Sequence, residues 1–450
     1  MQLSASATMS LSQTEAITDL ERQTMKKVMW RLIPILILCY FAAFVDRTNV
    51  SFASLTMNKT LGFSSAVYGL GAGIFFWGYC LFEIPSNLIL AKVGARLWIA
   101  RILITWGIIS GLTAFVWSPT SFFSARFLLG VAESGFYPGI ILYLTWWFPK
   151  RYRARAIGLF MTAIAGSSIV GSIISGSLLQ LDGVFGLHGY QWLFLLESLP
   201  AIILGFVVYF ALTNTPADAH WLSAEQQNWL IRRLDAERRQ QDSIRHFRLG
   251  EALRNPRVWV FVLIYFGQNF TGYGLGLFMP QIITHLGVGL KLIGWVTAIP
   301  SVFGLAAMLL SARYADRSGN RVLTLGTACL VSFAGFALCA LTGDPLVLMT
   351  FIIFASMGQS SIGNNFWPLP TAMLSGTAAA GAIGLINSLG NLGGFFGPYA
   401  MGLIHGATGS FSIGMVALAC GTLVSATFVF ILGHDRRLEH VPVELASAAD

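Results

Sequence analysis

Residues 30–57 read WRLIPILILCYFAAFVDRTNVSFASLTM. After Arg31, residues 32–45 carry no charge at all. The whole stretch of 28 residues is long enough to cross a bilayer, which takes about 20 residues. The uncharged run continues into Asp46 and Arg47 without the small-residue cleavage pattern of a secretory leader. The stretch therefore predicts a first transmembrane helix with two charges at membrane depth. Such charges cost at least a few kcal/mol, so they face a cavity and serve function.

The rest of the chain repeats this texture. Of 450 residues, 55% are hydrophobic and 11% are charged, against roughly 25% charged in soluble proteins. Mean hydropathy is +0.68. The expected class is an all-α polytopic membrane protein. A net charge of +8 does not imply nucleic acid, because the basic residues sit at the ends of apolar runs. Five cysteines, Cys39, Cys80, Cys329, Cys339 and Cys420, fall inside those runs without a CxxC pair, so free thiols are expected rather than a metal site.

Twelve spans can be drawn. The first six are 30–57, 66–91, 94–117, 120–147, 155–181 and 190–213; the second six are 257–284, 291–312, 321–342, 345–372, 380–406 and 410–433. Basic residues fill alternate connections: Lys26, Lys27 and Arg31, then Lys92 and Arg96, then Lys150, Arg151, Arg153 and Arg155, then Arg313, Arg317 and Arg321. The positive-inside rule then makes both termini cytoplasmic. The organisation expected is a tail over 1–28, a six-helix half over 29–213, a cytoplasmic linker over 214–256, a second half over 257–433 and a cytoplasmic tail over 434–450. The linker is expected to be partly helical.

An internal repeat supports two halves. ARYADRSGNR (312–321) joins spans eight and nine, and NLILAKVGAR (87–96) joins spans two and three. Both resemble the GxLADRxGRR signature of the major facilitator superfamily, whose fold is twelve transmembrane helices in two six-helix halves around a midplane site. The second copy keeps Asp316, Arg317 and Gly319 as gating residues. The first departs, with Asn87 for the opening glycine and Ala91 for the aspartate, which leaves its gating ion pair in question.

A closer resemblance, to the anion:cation symporter family, covers nearly the whole chain. It rests on FVDRTNVSFASLTMNK (44–59), FEIPSNLILAKVGARLWIARI (82–102), RFLLGVAESGFYPGIILYLTWWFP (126–149), RARAIGLF (153–160), LHGYQWLFLLESLPA (187–201) and INSLGNLGGFFGPYAMG (386–402). The family carries tartrate, sugar acids, phthalate or 4-hydroxyphenylacetate into bacteria with protons. The resemblance implies a proton-coupled symporter of a small organic anion in the bacterial inner membrane, monomeric and without a cofactor. The proton gradient is the driving force, and the partners are the anion, protons and lipid. A hydroxy-dicarboxylate such as tartrate is slightly favoured.

Arg126 and Glu133 are seven residues apart, so on a helix they share a face about 10 Å apart. They could line one cavity or form a structural ion pair. Asp46 and Arg47 point about 100° apart, and could instead neutralise each other. The family reading makes Asp46 and Glu133 the proton-coupling residues and Arg47 and Arg126 the anion-binding ones. Arginine offers a planar fork that binds a carboxylate bidentately, while a desolvated carboxyl can load and release a proton. On this logic Glu133 gates Arg126. Glu83 and Glu197, also near membrane depth, are expected to be structural.

Apart from Arg257, Lys291 and Arg321 at their first positions, the spans of the second half carry no Asp, Glu, Lys or Arg. Among its polar residues Gln268, Asn364 and Asn391 are the candidates to bind substrate hydroxyls, although Asn and Gln also hold helices together. Tyr79 and Trp367 could stack against substrate or simply be core. Glycine clusters at 69–73, 135–139 and 390–394 have the small-residue spacing of close helix packing, not of a nucleotide loop. An enzyme is not expected: the histidines are scattered and neither HExxH nor GxSxG occurs. An exchanger or exporter of the same fold is the alternative reading. A nutrient sensor is less favoured, as is an ATP-driven pump, which would need a Walker motif.

Overall fold

The computed structural model describes the backbone of residues 2–242, 254–373 and 377–433, and side chains over 19–239, 254–371 and 382–433. The tail expected over 434–450 and the linker residues 243–253 lie outside the described residues. No strand occurs among the described residues.

The helices are α1 Gln2–Leu61, α2 Ser65–Val93, α3 Ala95–Leu112, α4 Pro119–Glu133, α5 Phe136–Trp147, α6 Lys150–Leu178, α7 Gly189–Ala211 and α8 Ala224–Asp242. After the linker come α9 Pro256–His285, α10 Ile293–Ser318, α11 Arg321–Cys339, α12 Pro345–Phe366, α13 Pro368–Met373, α14 Thr377–Asn391, α15 Gly393–Thr408 and α16 Phe411–Leu432. The pairs α4/α5, α12/α13 and α14/α15 each make one traverse, so the chain crosses twelve times. Among the described residues ten helical segments are long and apolar enough to cross a membrane on composition alone. The other two traverses are α9, diluted by Gln268, Asn269, Thr271 and Tyr273, and the interrupted α14/α15.

Local sequence sets the ends. Ser118 caps α4, its hydroxyl accepting from Ser121 N at 3.2 Å, with Pro119 in the first turn, where its missing amide costs nothing. Asp344 caps α12 by accepting from Leu346 N and Val347 N at 2.9 and 3.1 Å. The break between α4 and α5 falls at Gly135, whose φ of +79° is in the left-handed region that glycine enters without strain.

The first helix does not stop at the membrane. Residues expected as a polar tail continue α1 without interruption through Pro34. There Glu21 accepts from the Tyr152 hydroxyl at 2.9 Å, and Lys27 donates to Gln226 of α8 at 3.3 Å.

Helices α1–α7 and α9–α16 meet mainly at the end opposite the basic connections. There α2 and α15 cross so closely that a methyl added at Gly402 would fall 3.0 Å from Gly69 Cα. The Ser65 hydroxyl lies 2.8 Å from His405 Nδ1, Gln281 donates to Ser54 at 2.9 Å, and Tyr68 donates to Leu277 O at 2.6 Å. Gly176 and Gly294 bring α6 against α10 in the same way. Among the described residues, no hydrogen bond joins the halves beyond the level of Glu83 toward the basic end. Among the described residues, the hydrogen bonds between the halves gather at mid-depth and at the end opposite the basic connections, which is the shut end.

Candidate functional site

Four helices converge at mid-depth. Arg47 of α1 forms an ion pair with Glu133 at the end of α4 and donates from Nη1 to the Tyr273 hydroxyl of α9 at 3.1 Å. Its guanidinium carbon lies 5.3–5.4 Å from the rings of Phe44, Phe75 and Tyr79. A guanidinium tolerates such company because aromatic faces attract cations. The Arg47–Tyr273 bond crosses from one half of the molecule to the other.

Arg126, one percent exposed, sits 5.2 Å from the same Phe75 ring. Two guanidinium groups therefore share one aromatic face. They differ in their partners. Arg126 makes no ion pair or hydrogen bond among the described residues, and its Nε and Nη1 are both buried and unsatisfied. Burying a cation without a partner is costly.

The expected gating of Arg126 by Glu133 is not what the contacts describe: among the described residues no ion pair or hydrogen bond joins the two. The Glu133 carboxylate instead closes on Arg47, which approaches from α1.

Asp46 is not paired with Arg47. Its carboxylate turns toward α3, where it accepts from Trp106 Nε1, from the Ser110 hydroxyl at 2.5 Å and from Asn49 at 2.9 Å. Three neutral donors surround a carboxyl that pairs with no cation among the described residues. Trp106 and Ser110 lie four residues apart in an apolar run, one above the other on a helix. That polar pair was the only signal in the sequence for this cradle.

The second half contributes less directly. Tyr79, on α2 of the first half, is buried beside Arg47. Gln268 has a buried side-chain oxygen with no hydrogen-bond partner, while its backbone carbonyl accepts from Gln359 at 2.6 Å. Asn391 accepts from Asn269 at 3.3 Å, which ties α14 to α9. Trp367, in the α12/α13 break, packs on Tyr265 at 5.0 Å. Asn364 is exposed; it is Asn365 that is buried, donating to Ser311 at 3.1 Å. Tyr273 was legible as one polar residue among many, and its link to Arg47 was not.

Asp316, Arg317 and Gly319 lie at the basic end of α10, away from this cluster. Asp316 pairs with Arg321, and Gly319, at φ +68°, closes the helix by donating to Ala315 O at 3.0 Å. Glu83 accepts from Asn387 at 2.7 Å and Ser388 at 3.2 Å across the interface between halves.

Known proteins give this arrangement its context. Two Agrobacterium vitis proteins named as candidate tartrate transporters are 49% and 48% identical, over 93% and 92% of this chain and 93% and 96% of theirs. An Acinetobacter baumannii protein named as a quinolone resistance transporter is 38% identical over 92% of this chain and 96% of its own. Among solved structures, the partially occluded, inward-open xylose transporter XylE from E. coli superposes with a TM-score of 0.73 at 13% identity, covering 92% of this chain and all of that one. An inward-facing bacterial homologue of the lysosomal transporter Spinster gives 0.72 at 18%, over 91% and 98%. The Major Facilitator Superfamily profile matches residues 36–398 and 264–446. Twelve helical traverses, a charged cluster at mid-depth and relatives matched along almost their whole length agree: this multi-pass membrane protein is a transporter, and it belongs to the Major Facilitator Superfamily.

Proposed function

We propose that the chain imports a small organic anion together with protons, and that the anion is a carboxylate, with a hydroxy-dicarboxylate such as tartrate favoured over a sugar acid or an aromatic acid. One observation carries this reading: two guanidiniums share the Phe75 ring, one held by Glu133 and the other without a partner. Arg126 binds the first carboxylate. Protonation of Glu133 dissolves its ion pair with Arg47, and the freed Arg47 binds the second. The site then holds two forks for two carboxylates, and anion binding requires a proton. The names of the Agrobacterium vitis relatives support the same substrate class.

Transport follows by alternating access. The contacts between Gly69 and Gly402 and between Gly176 and Gly294 part as the basic end closes, carrying the site from one side to the other. The orientation expected is an inner-membrane protein with both termini and the basic end in the cytoplasm, so the described state is open inward. The chain works as a monomer and uses no cofactor.

The test begins with thermal stabilisation of detergent-purified protein by a panel of organic acids at mildly acidic and at neutral pH, since a ligand of the folded state raises its melting temperature. Stabilisation by tartrate, stronger in acid and absent in Arg126→Met, supports the reading. Stabilisation only by neutral or cationic compounds overturns it. Uptake into proteoliposomes under an imposed pH or sodium gradient then separates proton symport from sodium symport, and from the exchange or export that the quinolone-resistance relative brings into view.

A further inference from the structure

Away from the cluster at mid-depth, the basic end of α1 carries a feature that transport does not use. Where α1 leaves the apolar zone, Gln23, Lys26, Lys27, Trp30 and Arg31 are all exposed. Lys27 and Arg31 are four residues apart, so one stands a turn from the other on the same face of the helix. Trp30 is 73% exposed, and a tryptophan so placed at the end of a span marks the headgroup level of a bilayer.

Two hollows flank this part of α1. The first, about 570 Å³, lies between α1 and the last turns of α7 and is lined by Arg31, Ile203, Phe206, Val207, Phe210 and Ala211. Its α7 wall is apolar because positions 203, 206, 207 and 210 recur at helical spacing on one face. Phe210 on that wall is 75% exposed. The second hollow, about 370 Å³, is polar: Gln23, Lys26, Lys27 and Trp30 line it together with Gln226 of α8, to which Lys27 donates at 3.3 Å. Lys27 belongs to the polar hollow and Arg31 to the apolar one, so the face they share leads from one into the other.

Charge decides what fills them. Among the described residues Lys26, Lys27 and Arg31 form no ion pair, whereas at the same end Arg151 pairs with Glu21, Arg233 with Glu237 and Arg321 with Asp316. Three uncompensated cations thus stand at the level where lipid phosphates lie, and such clusters attract anionic headgroups. A guanidinium holds a phosphate through two parallel hydrogen bonds, and the Lys27 ammonium adds a point charge one turn away. Any lipid tail can cover an apolar wall. An anionic lipid also neutralises the cations above it, while a zwitterionic headgroup brings its own cation to the same place.

We propose that one anionic phospholipid of the leaflet at the basic end occupies this site. Its phosphate lies against Arg31 and Lys27, its headgroup enters the polar hollow beside Gln226, and one acyl chain runs down the α7 wall over Phe210, Phe206 and Ile203. The site is independent of which solute is carried, since it lies on the outer face of α1 and α7 and shares no residue with the cluster around Arg47.

The test uses the full chain in detergent at fixed ionic strength, with phosphatidylglycerol and phosphatidylcholine of matched acyl chains as probes. Native mass spectrometry counts the lipid retained, and melting curves report the stabilisation that binding brings. Phosphatidylglycerol should be retained and should raise the melting temperature more than phosphatidylcholine does. Arg31→Gln should weaken phosphatidylglycerol binding about 5-fold, and Lys27→Gln combined with Arg31→Gln about 25-fold, the loss of one and of two cations beside an anionic lipid. Lys59→Gln, which removes a cation in the last turn of the same helix, should leave binding unchanged. The altered side chains are exposed, so without added lipid the variants should melt with the unaltered protein. Equal retention of the two lipids would overturn the proposal. A phosphatidylglycerol preference that survives the double variant would overturn it too, by placing the lipid elsewhere. Inorganic phosphate that stabilises as well as the lipid would assign the cations to a free anion and equally end the lipid reading.

Discussion

Replacing Arg126 by methionine should make the empty protein more stable and leave it unable to bind. The two effects come from one atom group. Arg126 Nε and Nη1 are buried and unsatisfied, and each such donor costs about 1–3 kcal/mol, or about 2–6 kcal/mol for the two. The Phe75 ring at 5.2 Å offsets about 0.5–2 kcal/mol of this. Methionine fills irregular space without a polar atom to satisfy. A gain of about 1–4 kcal/mol in the empty state is expected, the range seen when buried charges are replaced by apolar side chains of similar volume. Binding moves the other way. A bidentate grip on a carboxylate is two charge-assisted hydrogen bonds of about 1.5–3 kcal/mol each, so affinity for tartrate should fall at least about 100-fold. Melting curves with and without tartrate, together with titration calorimetry, measure both quantities on one preparation. A variant that is less stable when empty, or that binds tartrate with unchanged affinity, would refute the reasoning, because Arg126 would then have a partner within the protein.

Three further outcomes follow from the geometry. Glu133→Gln imitates the protonated acid and frees Arg47; tartrate should bind about equally well in acid and at neutral pH, while accumulation in proteoliposomes against a gradient is lost, and retained accumulation would remove Glu133 from coupling. Tyr273→Phe deletes the bond from Arg47 to the other half, worth about 0.5–1.5 kcal/mol; the balance between the two open states should shift by roughly 2- to 10-fold, read as the labelling rate of a Ser65→Cys reporter by a membrane-impermeant thiol reagent. Gly402→Leu drives a side chain into the backbone of α2 at Ser65 and Gly69, so the shut end cannot close; the same reporter should label rapidly and uptake should stop, whereas slow labelling would mean that the crossing can yield.

The architecture was legible because lipid imposes a coarse code. Apolar runs of the right length must be helices, and basic residues in alternate connections must share a side. That logic drew α9 as a span despite Gln268, Asn269 and Tyr273. It also singled out the charges found at mid-depth, since Asp46, Arg47, Arg126 and Glu133 have no ordinary reason to be where they are. Partners were another matter. Sequence spacing relates residues on one helix, so it offered Glu133 as the gate of Arg126 and left a pairing of Asp46 with Arg47 open. The actual partners come from other helices: Glu133 for Arg47, and Trp106 and Ser110 for Asp46. Which of two adjacent asparagines, Asn364 or Asn365, is buried depends on the rotation of α12 about its axis. Span boundaries uncertain by a few residues do not fix that rotation. The continuation of α1 past Trp30 was hidden for a different reason, because a polar helix supported from outside the membrane leaves no apolar pattern.

That continuation has a mechanical consequence. Arg47 and Glu21 are on the same unbroken rod, 26 residues and thus about 39 Å apart at 1.5 Å per residue. A pivot of about 10° around the level of Arg47 sweeps the Glu21 end through about 7 Å by that same rise. Glu21 and Lys27 touch Tyr152 and Gln226, so that sweep must strain or break both contacts. Events at the ion pair are thereby magnified into a displacement that a fluorophore near residue 21 can report from outside the bilayer. The same gearing runs backward: anything that grips the Glu21 end of α1 holds the Arg47–Glu133 ion pair still.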